Sequence, residues 1–381
     1  MANLPHNCQE VAVCVFVEIS YEGERRRPGS LGFIEGCFGM RKPTLEEVAI
    51  EAGVSKMTAS RALRGSADVS SETRGRVLEA AARMSYVGNR LALSLSSQRT
   101  NLVAVVVPSM SNIVFPEVLA GISAGLDGSG MQAVFGISDY DIAKEREIIR
   151  DMLSWQPCAI IVTGLDQPAE TVKLLQHANI PVIQLMDLDG TPVDFNVGLS
   201  HREAGADMAR ALIAAGRRRF GYVGSALERD LRAGKRKAGF ETVLREHGLH
   251  FVDQWLDDAF SSIALGKRLT TAMLAAIPDL DCIYYSNDDM ASGGLFACME
   301  LGVAVPEKIL IAGFNGLDLV NSLPAPIATS RSPRRIMGEV AAQLVRQAVA
   351  GDQDDSAKTV AFKPMITGIG GYDLHPEQRP W

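Results

Sequence analysis

The stretch GVSKMTASRALRGS, Gly53 to Ser66, predicts a helix with too little apolar surface to be packed on all sides. A helix in a protein core carries a large apolar residue at every third or fourth position. Here only Val54, Ala59, Ala62 and Leu63 can face inward, and two of them are alanine. The other side chains must contact solvent or another molecule; they are Lys56, Met57, Thr58, Ser60, Arg61 and Arg64.

Two further short helices are predicted on either side of this one. Thr44 followed by Glu47 forms a capping box at the start of TLEEVAIEAG, and Ser55 and Ser70 are placed to cap the second and third helices. Gly53 permits a tight turn between the first two helices. Two short helices joined by such a turn and supported by a third form a helix-turn-helix unit. The alternative, a generic three-helix bundle, leaves the polar positions of the second helix unexplained.

Charge is distributed unevenly along the chain. The 381 residues carry a net charge of −7, which argues against nucleic acid binding over the whole surface. Residues 41–98 contain nine Lys and Arg against six Asp and Glu, a net charge of +3, so the remainder carries −10. A basic module attached to an acidic body has the sign expected of a local DNA-binding unit.

Cysteine usage and hydropathy indicate a cytoplasmic protein without membrane contact. No apolar run approaches the ~20 residues that span a bilayer. The run Val11–Val17 follows Glu10 rather than a basic residue, which makes it a poor signal peptide. The cysteines show no C-x-x-C spacing and no paired framework, so we expect reduced thiols; they are Cys8, Cys14, Cys37, Cys158, Cys282 and Cys298.

From Asn101 onward, apolar runs alternate with helical stretches. The predicted strands read LVAVVVP, QAVFGIS, AIIVTG, PVIQLMD, RFGYVGS, CIYYSND and ILIAGFN. The predicted helices lie near 115–128, 141–155, 168–178, 202–215, 233–247, 262–276, 289–301 and 333–350. Continuous apolar strands alternating with helices predict parallel sheets covered on both faces. A length of about 270 residues, with a polar crossing near 197–201, predicts two such sheets side by side.

Polar side chains follow several of these strands. Ligands of such folds bind at the carboxyl ends of the strands. No nucleophile–base pair, G-x-G-x-x-G phosphate loop or metal-ligand cluster is found there, so we expect a binding protein rather than an enzyme, with no cofactor and no metal. The residues at the strand ends are Ser109, Asp187, Ser225, Asn287, Asp288 and Asn315.

Spaced motifs along the chain resemble the lactose-repressor (LacI) family of transcriptional regulators. The segment from TLEEVAIEAGVSKMTASRALRG to VSSETRGRVLEAAARMSYVGNRLALSL is similar to the DNA-binding headpiece and hinge of that family. The motifs AGF after Arg236, SNDDMASGG, VPEKILIAGFNG and RSPRRIMG are similar to signatures of its core. Within the family, VSKMT, MLSW, MDLD and NDDMASGG most resemble repressors of gluconate and related sugar-acid utilisation.

The resemblance implies a domain organisation. Residues 41–87 form an all-α helix-turn-helix headpiece, and residues 88–99 form a hinge helix and linker. Residues 100–372 form an α/β core of two doubly wound parallel-sheet lobes, as in periplasmic sugar-binding proteins, and residues 373–381 form a tail. Residues 1–40 have no sustained pattern, and we interpret them as a disordered extension or as sequence upstream of a start at Met40.

The resemblance also implies which residues contact operator DNA. The second helix enters the major groove, where Lys56 and Met57 read bases and Arg61 pairs with a guanine edge. Thr58 and Ser60 are placed to hold phosphates.

The implied hinge runs from Asn89 and Arg90 to Leu95 and folds only on DNA. Ala92 lies in the contact between the two hinges of a dimer, and Leu95 inserts into the minor groove at the centre of the site. Gly88 stands where many members carry proline. The alternative for Leu95 is an ordinary apolar contact with the core.

The core is expected to bind a small effector. Arg236 falls on the sugar-binding arginine of the family, and Arg232, one helical turn earlier, can present a second charge. The alternative for Arg232 is a solvated charge. Asn287 and Asp288 match a polar pair that binds sugar hydroxyls. Asn315 replaces an acid of lactose-type repressors, which favours an anionic ligand. The other expected contacts are Ser109, Phe115 and Asp187.

The implied function is repression of gluconate or related sugar-acid catabolism genes. A homodimer leaves a palindromic operator when a small anionic sugar binds between the core lobes. Two alternatives remain open: the ligand is a co-repressor that tightens DNA binding, or it is a neutral sugar. The chain ends GGYDLHPEQRPW, without the heptad helix of family tetramers, so we expect a dimer. A pure sugar-binding protein would need an export signal and no headpiece.

Overall fold

The computed structural model describes residues 42–87, 100–111, 113–352 and 358–369. These residues fall into two compact units, the first formed by residues 42–87 and the second by the other three ranges, and each is described by itself. The expected extension 1–40, hinge 88–99 and tail 373–381 lie outside the described residues.

Three helices form the first unit. They are α1 Leu45–Glu51, α2 Lys56–Leu63 and α3 Ser71–Arg83. The Thr44 hydroxyl accepts from the Glu47 amide at 3.3 Å, and the Glu47 carboxylate accepts in return from the Thr44 amide at 2.7 Å. Ser55 and Ser70 cap α2 and α3 through their hydroxyls, as the sequence predicts. These caps satisfy backbone amides that have no partner within a helix and so stabilise three short helices.

The interior of the first unit is built from small side chains. Gly53, with φ of 65°, forms the turn between α1 and α2, where a side chain would be strained. The fully buried side chains of α2 are those of Ala59 and Ala62, so most of this helix faces outward. The whole buried set is Val48, Ala49, Ala52, Ala59, Ala62, Val77, Ala80 and Ala81.

Twelve strands and eight α-helices form the described part of the second unit. The strands are β1 Leu102–Val107, β2 Gln132–Ile137, β3 Ala159–Thr163, β4 Val182–Leu185, β5 Phe195–Gly198, β6 Phe220–Ser225, β7 Phe251–Asp257, β8 Cys282–Tyr285, β9 Leu310–Asn315, β10 Ala328–Arg331, β11 Thr359–Ala361 and β12 Met365–Thr367. The helices are α4 Val114–Leu126, α5 Ile142–Ser154, α6 Ala169–Gln176, α7 His201–Ala214, α8 Leu231–Glu246, α9 Ile263–Ala276, α10 Asp288–Glu300 and α11 Arg334–Ala350.

The strands form two six-stranded sheets, one in each lobe. The first lobe has the order β11-β5-β4-β3-β1-β2, with every pairing parallel. The second lobe has the order β12-β10-β9-β8-β6-β7, parallel except for the antiparallel pair of β10 and β12. Central strands such as β3 and β8 are buried at every position, because helices cover both faces of each sheet. The predicted fold of two doubly wound sheets is confirmed.

The chain passes between the lobes at three points in its described part. It does so from β5 to α7, from β10 to α11, and from β11 to β12. The expected crossing near 197–201 lies between β5 and α7, but the expectation that it is polar is wrong. Phe195–Gly198 is the buried strand β5, and Leu199 beyond it is fully buried.

Five strands are not predicted by the sequence pattern: β5, β7, β10, β11 and β12. Four of them are three or four residues long, which is too short to show a period. The fifth, β7, lies at the edge of its sheet and reads FVDQWLD, with exposed polar residues between the apolar ones.

Candidate functional site

The outward face of α2 carries the residues that the sequence predicts for DNA recognition. Met57 is 64% exposed although it is apolar. The Lys56 ammonium lies 3.0 Å from the Glu46 carboxylate, and the Arg61 guanidinium lies 3.1 Å from the Asp68 carboxylate. Both pairs are exposed to solvent, and exposed ion pairs contribute only about 0–1 kcal/mol. Both cations therefore remain available to another partner.

Thr58 and Ser60 also have local partners on this helix. The Thr58 hydroxyl lies 2.9 Å from the Ser55 hydroxyl, and the Ser60 carbonyl accepts from Arg64 Nε at 3.2 Å. Phosphate binding by Thr58 and Ser60 stays a prediction. The expected hinge contacts lie outside the described residues; they are Asn89, Arg90, Ala92 and Leu95.

A cleft of about 820 Å³ separates the two lobes of the second unit at the carboxyl ends of the strands. Ser109 and Tyr140 line it from the first lobe, and Ser225 and Phe260 line it from the second. The ring centres of Tyr140 and Phe260 are 6.2 Å apart. Because carboxylate and serine oxygens accept hydrogen bonds from hydroxyl groups, the cleft suits a ligand with several hydroxyls. The carboxylates that line it are Glu117, Asp139, Asp230, Asp289 and Asp318.

A smaller pocket of about 50 Å³ adjoins the cleft, and Tyr140 lines both. Arg232 lines this pocket, with Nη2 4.0 Å from the Asp230 carboxylate. Burial opposes the charge of Arg232, but the negative groups around it, Asp230 first and then Tyr140, Asp187 and Asp166, more than offset that effect and raise its pKa. The buried Ser138 hydroxyl also lines the pocket and has no hydrogen-bond partner among the described residues. A guanidinium and an unpaired hydroxyl in one pocket suit an anionic group.

Arg236 is buried between neutral partners. Its guanidinium donates to the Ser286 carbonyl at 2.8 Å and lies 3.0 Å from His201 Nδ1. The guanidinium carbon is 4.0 Å from the centre of the Phe314 ring. In the described ranges no carboxylate lies within ion-pair distance of Arg236, and its Nε is buried without a hydrogen-bond partner.

His201 determines the orientation of Arg236. Its Nε2 lies 2.8 Å from the Met186 carbonyl, which can only accept, so Nε2 carries the proton and Nδ1 accepts from Arg236. Burial lowers the pKa of His201 well below 6.5, and the charges of Arg236 and Arg232 lower it further. The imidazole is therefore neutral near pH 7, as this pair of hydrogen bonds requires.

Asp187 is fully buried and bonded within the protein. One carboxylate oxygen accepts from the Asp189 amide at 2.9 Å, and the other lies 2.5 Å from Lys235 Nζ. The same ammonium lies 2.8 Å from Asp166. Burial raises the pKa of Asp187, and the hydrogen bond from Lys235 opposes that shift. Ligand binding by Asp187 stays a prediction, and in this structure the carboxylate is occupied by Lys235.

Asn287 and Asp288 begin α10. The Asn287 side chain caps this helix by accepting from the Met290 amide at 3.1 Å. Asp288 is fully buried and accepts from the Leu317 amide at 2.9 Å and from the Thr329 hydroxyl at 2.7 Å. Burial raises its pKa to about 6, although these hydrogen bonds act in the opposite direction. Asp288 thus joins β8 to β9 and β10, and a direct ligand contact stays a prediction.

Of the expected effector contacts, Ser109 lines the cleft and Arg232 lines the smaller pocket. The others line neither; they are Phe115, Asp187, Arg236, Asn287, Asp288 and Asn315. The buried Phe115 ring has its centre 5.8 Å from the guanidinium carbon of Arg232. Asn315 ends β9 with φ of 121°, a left-handed conformation, and its carbonyl accepts from the Arg334 guanidinium. Phe115 and Asn315 thus contact Arg232 and Arg334, respectively, and their ligand contacts stay predictions.

Sequence reasoning does not single out Ser138, Tyr140, His201 or Lys235. The one available signal is the cationic run LRAGKRK, which places Lys235 beside Arg236, but a solvated helix face shows the same composition. The described residues contain no group of three or more His, Cys, Asp and Glu side chains arranged to hold a metal ion. Their helices include none that is long and apolar enough to cross a membrane.

Two family models match separate parts of the chain. The model described as "Bacterial regulatory proteins, lacI family" matches residues 44–89. The model described as "Periplasmic binding proteins and sugar binding domain of LacI family" matches residues 100–364. The chain belongs to the LacI family. It is accordingly a DNA-binding transcriptional regulator, as the helix-turn-helix and the motifs of the core predict.

LacI-family relatives match nearly their whole length to this regulator. The HTH-type transcriptional regulator GntR of Pseudomonas aeruginosa is 37% identical over 326 residues, which cover 85% of this chain and 94% of that protein. The regulator IdnR of Escherichia coli is 34% identical over 303 residues, covering 79% and 90%. A crystal structure of a LacI-family regulator from Silicibacter pomeroyi has 43% identity and a TM-score of 0.82, covering 86% and 98%.

Proposed function

We propose that this LacI-family regulator is a homodimeric repressor of sugar-acid catabolism genes, released from its operator when gluconate or a related aldonate binds between the core lobes. The main support for this ligand class is a pair of buried arginines on α8 that lack close carboxylate partners. Arg232 has its one ion-pair partner of the described residues at 4.0 Å, and Arg236 has none. A ligand carboxylate would supply the missing negative charge, and the serines and carboxylates of the cleft would accept from its hydroxyls. The similarity to GntR and IdnR supports this ligand class.

The proposed operator contacts follow from the outward face of α2. Lys56, Met57 and Arg61 read base edges in the major groove, and Thr58 and Ser60 hold phosphates. Two headpieces of a dimer require a pseudo-palindrome with half-sites about one helical turn, roughly 34–36 Å, apart. The proposed Leu95 insertion at its centre favours a flexible pyrimidine–purine step.

The proposed release depends on the angle between the lobes. A ligand that contacts both lobes changes that angle only as far as it binds one arrangement better than the other. Arg232 and Ser225 belong to the second lobe, whereas Ser109, Ser138 and Tyr140 belong to the first. All five line the cleft or the adjoining pocket, so one aldonate bound there would contact both lobes.

The testing experiment is fluorescence anisotropy on a labelled palindromic operator taken from upstream of neighbouring sugar-acid genes. Gluconate at millimolar or lower concentration should release the full-length protein, whereas galactose and hypoxanthine should not. Arg236→Ala should abolish release. Arg245→Ala is the matched control, because this arginine of the same helix is exposed and bonds only within α8.

Two outcomes decide against the proposal. Gluconate that tightens the complex makes the ligand a co-repressor. Release by galactose instead of gluconate makes the ligand a neutral sugar. In either case the assignment as a DNA-binding regulator is unaffected, because it rests on the headpiece and the family.

A further inference from the structure

Lys235 joins two carboxylates of the opposite lobe. Its ammonium lies 2.5 Å from Asp187, 2.8 Å from Asp166 and 3.4 Å from the carbonyl of Asp189. Lys235 belongs to α8 of the second lobe, whereas the three acceptors follow β3 and β4 of the first lobe. Asp187 is fully buried and Lys235 is nearly so. One cation therefore engages two carboxylates and offsets one of their two negative charges, while Asp141 and Glu145 also line the pocket of Arg232.

The same two carboxylates interact electrostatically with Arg232, which lies one helical turn before Lys235. Asp166 and Arg232 line the same small pocket. With Lys235 in place, Asp166 and Asp187 are engaged elsewhere, and the nearest carboxylate to Arg232 is Asp230 at 4.0 Å. Without Lys235, both carboxylates would compete with a ligand anion for Arg232 and would repel it.

The pocket beside Arg232 also contains a serine whose hydroxyl has no hydrogen-bond partner among the described residues. The Ser138 hydroxyl is 1% exposed and has no hydrogen bond to another described residue. A buried hydroxyl without a partner costs free energy, and a carboxylate oxygen of a ligand next to it would accept a hydrogen bond from it.

We propose that Lys235 is a specificity-determining residue: by pairing with Asp166 and Asp187 it keeps these carboxylates from Arg232, so that the pocket at Arg232 and Ser138 binds the carboxylate of the ligand and selects a sugar acid over a neutral sugar. This inference rests on the proposed function, and it assigns the anion preference to a residue that lies behind the pocket. Lys235 acts through the charge of its neighbours, so it is a positioning residue for the ligand rather than a direct contact.

The experiment compares gluconate with gluconamide, its neutral isostere, by calorimetry on the full-length protein at about pH 8, which favours ionised Asp187. Wild type should prefer gluconate. Lys235→Met should reduce that preference by about tenfold or more, because an unpaired carboxylate then faces the anion, while gluconamide affinity changes less. If Lys235 had only a structural role, the substitution would lower the affinities for gluconate and gluconamide by the same factor.

Two matched variants control for folding. Lys237→Met removes a lysine of the same helix that pairs with Glu241 outside the site, and it should leave the preference unchanged. Lys235→Met leaves a buried carboxylate unpaired and is therefore destabilising. The double variant Lys235→Met/Asp187→Asn also removes the fully buried carboxylate, and it restores the net charge of −1 that Lys235, Asp166 and Asp187 carry together. It should therefore fold and should regain the preference for gluconate to within about threefold.

The outcomes separate this inference from the proposed function. If wild type and Lys235→Met prefer gluconate by the same factor, the proposed role of Lys235 is wrong and the proposed effector is unaffected. A double variant that folds without regaining the preference also overturns it. A wild type that binds neither compound overturns the proposed effector, and this inference with it.

Discussion

Arg61 and Arg236 are arginines of one regulator with different surroundings. Arg61 is about half exposed and forms a direct, solvent-exposed ion pair with Asp68 at 3.1 Å. Arg236 is buried, stacks on Phe314 and donates to a neutral imidazole and a carbonyl. Loss of the Arg61 side chain should change the stability of the folded protein little, whereas loss of the Arg236 side chain leaves polar groups unpaired in the interior.

Replacing Arg61 by alanine should weaken operator binding by about 1–3 kcal/mol, because a bidentate contact to a guanine edge is lost. The free energy of unfolding should change by less than about 0.5 kcal/mol, as expected for an exposed pair. Anisotropy with operator and with scrambled DNA measures the first quantity. Arg76→Ala, at an exposed position of α3, is the control. An equal loss on both DNA sequences would mean that Arg61 contacts phosphate and reads no base.

Asp288→Asn should change the pH dependence of stability. The folded-state pKa of about 6 exceeds the ordinary 3.8, so the folded protein holds this proton more tightly than the unfolded chain. The resulting stabilisation is complete below about pH 4 and is lost as the pH rises to about 6, a change of about 3 kcal/mol. The amide can still accept from Leu317 and donate to Thr329, so the variant should lack this slope. Denaturant unfolding from about pH 4 to about pH 7 measures it, and parallel profiles would contradict the prediction.

Among the helices of the second unit, the contact between α7 and α8 positions the buried Arg236. A Cβ added to Gly205 of α7 would lie 1.9 Å from the Arg236 carbonyl oxygen, and one added to Gly239 of α8 would lie 1.9 Å from the Arg202 carbonyl oxygen. The two backbones therefore touch at these reciprocal positions. This close approach brings His201, at the start of α7, within reach of Arg236.

Gly239→Ala should force the two helices apart. We expect a loss of about 1–3 kcal/mol in the free energy of unfolding, together with a weaker gluconate response, because Arg236 moves with its helix. Gly234→Ala is the matched control on α8, since its nearest neighbour would be the Leu227 carbonyl at 3.8 Å. That variant should be neutral or more stable by up to about 1 kcal/mol. Equal effects of the two substitutions would show that the helix contact does not position Arg236.

At the scale of the second unit, its two lobes are connected by chain crossings and by polar contacts. Lys235 of the second lobe binds Asp166 and Asp187 of the first. Arg334, on the first-lobe helix α11, pairs with Glu117 at 2.8 Å and donates to the carbonyl of Asn315 in the second lobe. The proposed change of the lobe angle on ligand binding would therefore have to break or rearrange these contacts.

For the whole molecule, operator and effector binding should be coupled reciprocally. If gluconate lowers operator affinity by some factor, saturating operator must lower gluconate affinity by the same factor. Calorimetric gluconate titrations of the dimer, with and without operator, measure the second factor, and anisotropy measures the first. A scrambled duplex is the control. Operator that leaves gluconate affinity unchanged would show that the two sites are not coupled.

Local sequence patterns predict the three helices of the first unit, seven of the twelve described strands of the second unit, and the outward face of α2. These features depend on contacts between near neighbours, since a cap or turn acts within about four residues and an apolar period repeats along one element. Lys56, Met57 and Arg61 stand out because their own helix has no use for them as core residues.

Which polar groups of the core have hydrogen-bond partners, and which face the cleft, depends on contacts between distant parts of the chain. Lys235 and Asp166 are 69 residues apart in sequence, and Arg236 and His201 are 35 apart, so no local pattern joins them. The short strands β5 and β10 to β12 likewise exist because neighbouring strands supply their hydrogen bonds. Burial raises the pKa of Asp288 and lowers that of His201 through the packing of distant segments around each group, and that packing is a property of the closed fold rather than of the chain.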